Sequence, residues 1–233
     1  MSEDLDSRLY FRQLLAGRQV ATAHPMAGRM ANFMYLLGDQ VSREAFVVDP
    51  AWDVDSLLAV AEADGYTVRG ALVTHYHPDH VGGDLFGHSV EGLARLLEIA
   101  AVPVYVNKHE ADGLKKVTGL AESDLRRVDD SDHAHIGAID VQFLHTPGHT
   151  PGSQCFLLGN RLVAGDTHRQ ARQAAGGHRA LSGAQLRPDA HLHHGGRADS
   201  QPLSPHPLPR RLAAADGSLR RLRHALTPRP HRR

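Results

Sequence analysis

The sequence predicts an α/β fold, and two observations carry that prediction. Short apolar runs typical of buried strands alternate with segments whose apolar residues recur at the three- and four-residue spacing of amphipathic helices. Three of the apolar runs, which end at Thr74, Leu144 and Ala164, are followed within two residues by His or Asp. Loops after strand ends commonly carry binding residues in such folds, so the same pattern predicts a site.

The N-terminal part of the chain is expected to open with a β-hairpin, in which apolar runs at 33–37 and 45–49 flank a polar turn. A helix should follow, because Asp53 precedes apolar residues at helical spacing, and it should end near Gly65. The apolar run at 70–74 then predicts a buried strand that leads directly into a cluster of polar residues.

The remaining elements continue this alternation. The expected helices span 89–100 and 108–117, and the expected strands span 102–106, 136–143 and 162–164. A hairpin across Gly159 and Asn160 should connect to the last of these strands. The single cysteine, Cys155, lies in an apolar run before that hairpin, so we expect it to be a core residue rather than a catalytic one.

Composition gives expectations about partners and location. The formal net charge is +0, which offers no reason to expect nucleic acid or an anionic membrane as partner. The acidic N-terminus lacks an apolar leader segment, and no apolar run approaches the roughly 18 residues of a membrane span. One cysteine cannot form an internal disulfide, which fits a reducing compartment. We therefore expect a cytoplasmic protein with a small-molecule substrate; the sequence does not define its oligomeric state.

The segment after residue 167 differs in composition from the rest of the chain. Residues 167–233 contain 13 Arg and 3 Asp but no Ile, Val, Phe, Tyr, Trp or Met. Because such a segment has little apolar surface to offset the entropy of ordering it, we expect it to be disordered. The sequence therefore predicts a folded domain at 8–167 and an Arg/His/Pro/Ala-rich tail at 168–233.

Two further hypotheses concern this tail. Its composition is typical of a high-GC gene read out of frame, which suggests a frameshift near residue 167. Its arginine pairs could instead form a basic arm that binds nucleic acid. The tail has no aromatic residue that would stack on bases, which argues against such an arm.

A cluster of metal-binding residue types follows the predicted strand at 70–74. It contains four imidazole or carboxylate groups within six residues: His75, His77, Asp79 and His80. Zinc in proteins is held by neutral imidazoles and ionised carboxylates, and a turn restricted by Pro78 could aim these side chains inward. His149 and Asp166 follow two other strands; alone each could be an ordinary turn residue, but together with the cluster they complete a candidate metal site.

Three segments resemble the motifs of a known family, in the same order. Residues 73–83, VTHYHPDHVGG, resemble the signature of the metallo-β-lactamase superfamily, and TPGHTPGS at 146–153 and AGDT at 164–167 resemble its next two motifs. The resemblance covers roughly residues 10–167 and is greatest to glyoxalase II-like thioester hydrolases. It implies an αββα sandwich with metal ions at one edge between two sheets, here truncated in its C-terminal part.

The resemblance also implies a role for each of the six residues. The first of two zinc ions would be held by His75, His77 and His149, the second by Asp79 and His80, and Asp166 would bridge both. The implied reaction is hydrolysis of a thioester, ester or lactone by a metal-bound hydroxide, with Asp79 as the catalytic residue that orients the hydroxide or carries its proton.

The sequence departs from the family pattern at its C-terminal end. The family supplies a last histidine to the second metal from a Pro-Gly-His turn, and this sequence has no such turn. The tail contains several histidines, and none of the following ones comes after an apolar strand that could place it: His191, His193, His194, His206, His224 and His231. The second metal site is therefore expected to lack one ligand or to take it from one of these.

Two alternative functions remain open from the sequence. One is an iron-dependent sulfur (persulfide) dioxygenase, in which His75, His149 and Asp166 would form a triad of two histidines and one carboxylate; Tyr76 and Pro78 differ from the residues expected in that subfamily. The other is a catalytically impaired, metal-binding product of a frameshifted gene, because the last ligand of the second metal is missing.

Overall fold

The computed structural model describes residues 7–166 and, for the backbone alone, residues 179–182. The expected disorder of the rest of the tail, the frameshift and the tail histidines therefore lie outside the described residues. Within the described ranges, no helix is long and apolar enough to cross a lipid bilayer.

The described chain contains thirteen strands and five α-helices. The strands are β1 Leu9–Leu15, β2 Phe33–Asp39, β3 Glu44–Val48, β4 Thr67–Leu72, β5 Gly83–Leu85, β6 His88–Val90, β7 Val104–Asn107, β8 Leu125–Val128, β9 His133–Ile136, β10 Ile139–His145, β11 Gln154–Leu158, β12 Arg161–Ala164 and β13 Arg179–Ser182. The helices are α1 Pro25–Met30, α2 Val54–Ala63, α3 Pro78–Val81, α4 Leu93–Ile99 and α5 Ala111–Thr118, and a 3-10 turn spans Glu122–Asp124.

These strands form two large sheets and one small hairpin. The first sheet has the order β1-β2-β3-β4-β7-β8, the second has the order β13-β12-β11-β10-β9, and β5 pairs with β6 alone. In the first sheet β3, β4, β7 and β8 run parallel, so their carboxyl ends meet at one edge. In the second sheet β9 to β12 form antiparallel hairpins, and β13 pairs parallel with β12.

The described elements form three layers that pack together through apolar side chains. Helix residues such as Leu57, Leu96 and Leu114 pack against one face of the first sheet. The other face of that sheet meets the second sheet through a core that includes Phe143 and Phe156. This is the α/β sandwich that the sequence predicts. The outer helical layer expected over the second sheet lies outside the described residues.

Several predicted elements are confirmed and others need correction. The hairpin of β2 and β3 forms as expected, and α2 begins where Asp53 accepts a hydrogen bond from the Ser56 amide at 2.9 Å. β1 has no counterpart among the elements expected from the sequence. The helix expected at 89–100 begins only at Leu93, because Val90 pairs with Gly83 in the β5-β6 hairpin.

Two further corrections concern the site-bearing half of the chain. The single strand expected at 136–143 is a hairpin of β9 and β10, which turns at Gly137 with a φ of 57°, a left-handed conformation that favours glycine. Asp79 and His80 lie on the short helix α3 rather than on a turn, with Pro78 at its first position.

A buried carboxylate joins the two sheets at the turn between β9 and β10. Asp39, at the end of β2, accepts two hydrogen bonds from Arg8 at 2.8 and 2.7 Å and one from the Ala138 amide at 3.0 Å. A side chain at Gly137 would lie 2.1 Å from Asp39 Oδ2, so the hairpin approaches this carboxylate closely. We call this group the Asp39 clasp. β10 has seven residues, so the clasp is about 20 Å from the opposite end of that strand, near His145.

Candidate metal centre

The six candidate residues meet at one edge of the sandwich. His75 and His77 follow β4, and α3 carries Asp79 and His80 immediately afterwards. His149 lies in the loop between β10 and β11, and Asp166 lies two residues beyond β12. Their ligand atoms fall into two groups of three, and within each group all these atoms lie within 4.8 Å of one another.

The first group is His75, His77 and His149. His149 Nε2 lies 3.0 Å from His77 Nδ1, and each pair of the three rings has a centroid separation of 4.7 Å. His75 is buried, whereas His149 is exposed. Burial, together with the charge of His80, lowers the pKa of His75 to about 2, and burial also lowers the pKa of His77. Both imidazoles are therefore neutral at pH 7, which is the form that binds zinc.

The second group is Asp79, His80 and Asp166. His80 Nε2 lies 3.5 Å from Asp166 Oδ1 and 3.8 Å from Asp79 Oδ2, both too long for well-formed hydrogen bonds. The second oxygen of Asp166, Oδ2, lies 3.6 Å from His149 Nε2 in the first group. One oxygen of Asp166 therefore faces each group.

Charge in the second group favours a cation. Burial alone would lower the pKa of His80, but its contacts with Asp166 and Asp49 outweigh burial and raise that pKa to about 10. The contact with His80 likewise outweighs burial and lowers the pKa of Asp166. The carboxylates thus stabilise one positive charge at this position, where a divalent cation would supply two.

Two buried nitrogen atoms show that the site fits a metal ion. His75 Nε2 and His80 Nε2 are both buried and have no hydrogen-bond partner. An unpaired buried polar atom is costly unless another interaction satisfies it. Imidazole nitrogens and carboxylates are zinc ligands with bonds of about 2.0–2.2 Å, so the two groups need only small movements to close around an ion.

Asp49, which was not expected at the site from the sequence, contacts both Thr74 and His80. It ends the apolar run of β3 and is buried. Its carboxylate accepts hydrogen bonds from the Thr74 amide at 2.8 Å and the Thr74 hydroxyl at 2.6 Å, and its Oδ2 lies 2.9 Å from His80 Nδ1. A carboxylate on the second nitrogen of an imidazole fixes the ring and its tautomer. His80 therefore directs Nε2 toward the second group.

Asn32, also missed from the sequence, holds Asp79. Its side-chain amide donates to Asp79 Oδ2 at 2.8 Å and to the Asp79 carbonyl at 2.9 Å. Asn32 lies just before β2, far from the cluster in sequence, and no local pattern marks it. Asp49 did carry a usable signal, because it is an acidic residue at the end of an apolar strand, as is Asp166.

Cys155 behaves as the sequence predicts. It is a buried residue of β11, and its sulfur lies 3.3 Å from the Thr146 hydroxyl. It belongs to the apolar cluster of the second sheet with Leu162 and Ala164. The described site thus draws its chemistry from histidines and carboxylates, without a cysteine.

A two-sheet sandwich with two adjoining His/Asp groups at one edge defines a class of metal-dependent enzymes. A family model described as the metallo-beta-lactamase superfamily matches residues 27–222. The chain belongs to this superfamily, as the three motifs predict. The match includes part of the sequence that follows residue 167.

Curated relatives of this chain include hydrolases. It is 31% identical over 147 residues to a probable polyketide biosynthesis zinc-dependent hydrolase PksB of Bacillus subtilis (strain 168). The matched region covers 62% of this chain and 60% of that protein. It is 34% identical over 138 residues to a hydroxyacylglutathione hydrolase of Rhodopseudomonas palustris (strain HaA2). Here the matched region covers 58% of this chain and 48% of that protein. The chain thus spans about half to three fifths of the length of these relatives.

Comparison with solved structures supports the fold. The BLEG-1 B3 metallo-beta-lactamase superposes with a TM-score of 0.53 at 19% identity, covering 76% of this chain and 92% of that one. At this identity the similarity establishes the shared fold and carries no information on substrate.

Proposed function

We propose that this protein hydrolyses a thioester at a centre of two zinc ions. The observation that carries the proposal is the position of Asp166, whose two oxygens each face one of the two ligand groups. One curated relative is described as zinc-dependent and another as a hydroxyacylglutathione hydrolase, which supports zinc as the metal and a thioester as the substrate class. A small-molecule substrate and a cytoplasmic location are part of the same proposal.

Each ligand would have one role. The set His75, His77 and His149 would hold the first ion, the set Asp79, His80 and Asp166 would hold the second, and Asp166 would contact both. When bound, zinc ions supply Lewis acidity, which lowers the pKa of water and polarises a carbonyl group.

The residues around the ligands prepare them for this chemistry. Asn32 donates to Asp79 Oδ2 and so fixes the carboxylate that would bind the second ion, orient the attacking water and hold its proton. Asp49 fixes the ring of His80, so that its Nε2 is presented to the second ion. Attack of water on the acyl carbon breaks the carbon–sulfur bond, and the products are a carboxylic acid and a thiol.

The proposal is tested by metal content and thioester hydrolysis measured on the same preparations. The purified full chain should carry two zinc ions and cleave a lactoylglutathione-type thioester, with thiol release followed by a chromogenic reagent. His77→Ala should lower kcat/KM by more than about 100-fold, because even partners outside the ligand set commonly cost 10–100-fold. The matched control is His133→Ala, an exposed histidine that pairs with Asp140 on the second sheet.

The same measurements decide between the proposal and its alternatives. One iron per chain with oxygen consumption on a persulfide would support the dioxygenase instead. Bound zinc with hydrolysis no faster than in buffer, and no effect of His77→Ala, would support the impaired metal-binding protein. Equal loss of activity in His133→Ala and His77→Ala would show that the assay reports stability rather than the site.

A further inference from the structure

Glu110 lies between the two loops that carry the first group of candidate ligands. It directly precedes α5 and is 1% exposed. Its Oε2 accepts a hydrogen bond from the Tyr76 amide at 2.9 Å, and its Oε1 accepts one from the Gly152 amide at 2.6 Å. Tyr76 belongs to the loop after β4 in the first sheet, and Gly152 belongs to the loop between β10 and β11 in the second sheet. One buried carboxylate thus joins the two sheets beside the site.

The two donors are adjacent in sequence to the first group of ligands. Tyr76 lies between His75 and His77, and Gly152 is three residues after His149. The second group has no member in the loop between β10 and β11, since Asp79 and His80 belong to α3 and Asp166 follows β12. A shift of either loop relative to the other would therefore change the distance between His77 and His149 first.

The packing around Glu110 leaves it little freedom. A side chain at Gly152 would lie 2.7 Å from Glu110 Cγ and 3.0 Å from Asn107 Oδ1, so this loop approaches the carboxylate without space for a methyl group. Asn107 Oδ1 accepts a hydrogen bond from the His109 amide at 2.9 Å, which fixes the segment before α5. The carboxylate is therefore fixed both by the segment that precedes α5 and by its two hydrogen-bond donors.

We propose that Glu110 is a positioning residue that sets the spacing of the two loops and thereby the affinity of the first metal ion. This inference rests on the proposed metal centre but assigns a role to a residue that binds neither metal nor substrate. Both groups that face Glu110 are N–H donors, so the position requires two acceptor oxygens. Glutamine offers one oxygen and one amino group, and its amino group would face an N–H donor that is left unsatisfied.

The sheets keep a second connection when Glu110 is changed. The Gln154 amide donates to the Thr74 carbonyl at 2.9 Å, and the Gln154 side chain donates to the Val73 carbonyl at 2.7 Å. These bonds join β11 to the end of β4 independently of Glu110. The effect of a Glu110 substitution should therefore be local to the ligand loops, and the sandwich should remain folded.

The test measures the affinity of each ion separately. Zinc affinity is determined by competition with a chromophoric chelator in two backgrounds, His80→Ala, which keeps the first group intact, and His77→Ala, which keeps the second. Adding Glu110→Gln should weaken zinc binding by about 10-fold or more in the first background and leave it unchanged in the second. The absorption bands of Co²⁺ at the first site should shift, which reports coordination geometry without any activity assay.

Two further variants separate positioning from stability. Gly152→Ala keeps the carboxylate but displaces it, and it should weaken the first site in the same selective way. Asp39→Asn removes the carboxylate of the Asp39 clasp at the far end of β10 and should leave both zinc affinities unchanged.

Three outcomes would overturn the inference. Wild-type zinc affinity and Co²⁺ spectrum in Glu110→Gln would show that the spacing does not depend on Glu110. Equal weakening by Glu110→Gln and Asp39→Asn would show a general loss of stability. A wild-type chain that binds no zinc would overturn the proposed function first, and this inference with it.

Discussion

His149 Nε2 and His77 Nδ1 lie 3.0 Å apart although 72 positions separate them in the chain. His77 follows the first sheet, and His149 lies in a loop of the second sheet. The first group of ligands therefore exists only when the two sheets are packed together. An ion held by this group would connect the sheets.

Removing the metal should destabilise the whole domain. A ligand that binds only the folded state at 100 times its dissociation constant stabilises it by about 2.7 kcal/mol. For a domain of this size, that corresponds to a fall in Tm of about 5–10 °C on treatment with a chelator. Differential scanning calorimetry with and without chelator measures the change. Restoring zinc should restore the Tm, and a variant lacking both His77 and His80 should show no response to chelator.

Asp49→Asn should weaken the second metal site. Asp49 accepts hydrogen bonds from Thr74 and contacts His80 Nδ1, and an asparagine in the same position would present an amino group to at least one of these partners. We expect the affinity for the second zinc ion to fall by about 10- to 100-fold, because loss of a hydrogen-bonding partner of a ligating histidine commonly has an effect of this size. Chelator competition in the His77→Ala background measures it. An unchanged affinity would contradict the role assigned to Asp49.

Asn32→Ala should reduce turnover without loss of metal. Asn32 holds Asp79 Oδ2, so its removal lets the carboxylate rotate away from the position that orients water. A defect confined to the transition state lowers kcat and kcat/KM together, and we expect a decrease of about 10- to 100-fold. Steady-state kinetics and zinc content on the same sample check both points. A raised KM at unchanged kcat would instead place Asn32 in substrate binding.

The Asp39 clasp should make stability depend on acid pH. Its hydrogen bonds with Arg8 outweigh burial and, with two backbone amides, hold the pKa of Asp39 well below its usual range. A depressed carboxyl pKa contributes stability that is fully present above the unfolded pKa of about 3.9 and is lost as the pH falls toward the folded value.

Asp39→Asn should therefore cost about 2–4 kcal/mol near pH 7, somewhat less than a fully buried pair, since the Arg8 side chain is 34% exposed. The difference between wild type and variant should stay constant from pH 7 to about 5 and narrow below about pH 4. Urea unfolding at each pH measures it. A difference that stays constant down to pH 3 would show that the ionisation of Asp39 does not contribute.

Much of the fold could be predicted from local sequence pattern. The hairpin of β2 and β3, helix α2 and the strand before His75 each depend on spacing within one element, and each is confirmed. The incorrect predictions concern segments whose secondary structure depends on contacts with a neighbouring segment. The helical spacing of 89–100 includes residues 89 and 90, but these pair with β5 as part of β6 instead. Residues 136–143 read as one strand because a single glycine turn, at Gly137, does not interrupt the apolar pattern.

The residues of the site likewise divide into those that local sequence reveals and those that it does not. The cluster after β4 could be selected because its four groups are adjacent in sequence. Asn32 and Glu110 could not, because each acts through contacts with residues more than thirty positions away. Their importance depends on tertiary packing, which a single sequence does not display.

The order of the strands along the chain has a consequence for synthesis. The first sheet and the residues His75 to His80 are complete by residue 128, whereas His149 and Asp166 come from segments translated later. The chain leaves the ribosome N-terminal end first, and a domain generally folds as a unit. The nascent chain would thus display two of the three residues of each ligand set before the third is made, and tight binding of zinc would require the second sheet. Both ligand sets would then be able to bind metal fully only after residue 166 has been translated.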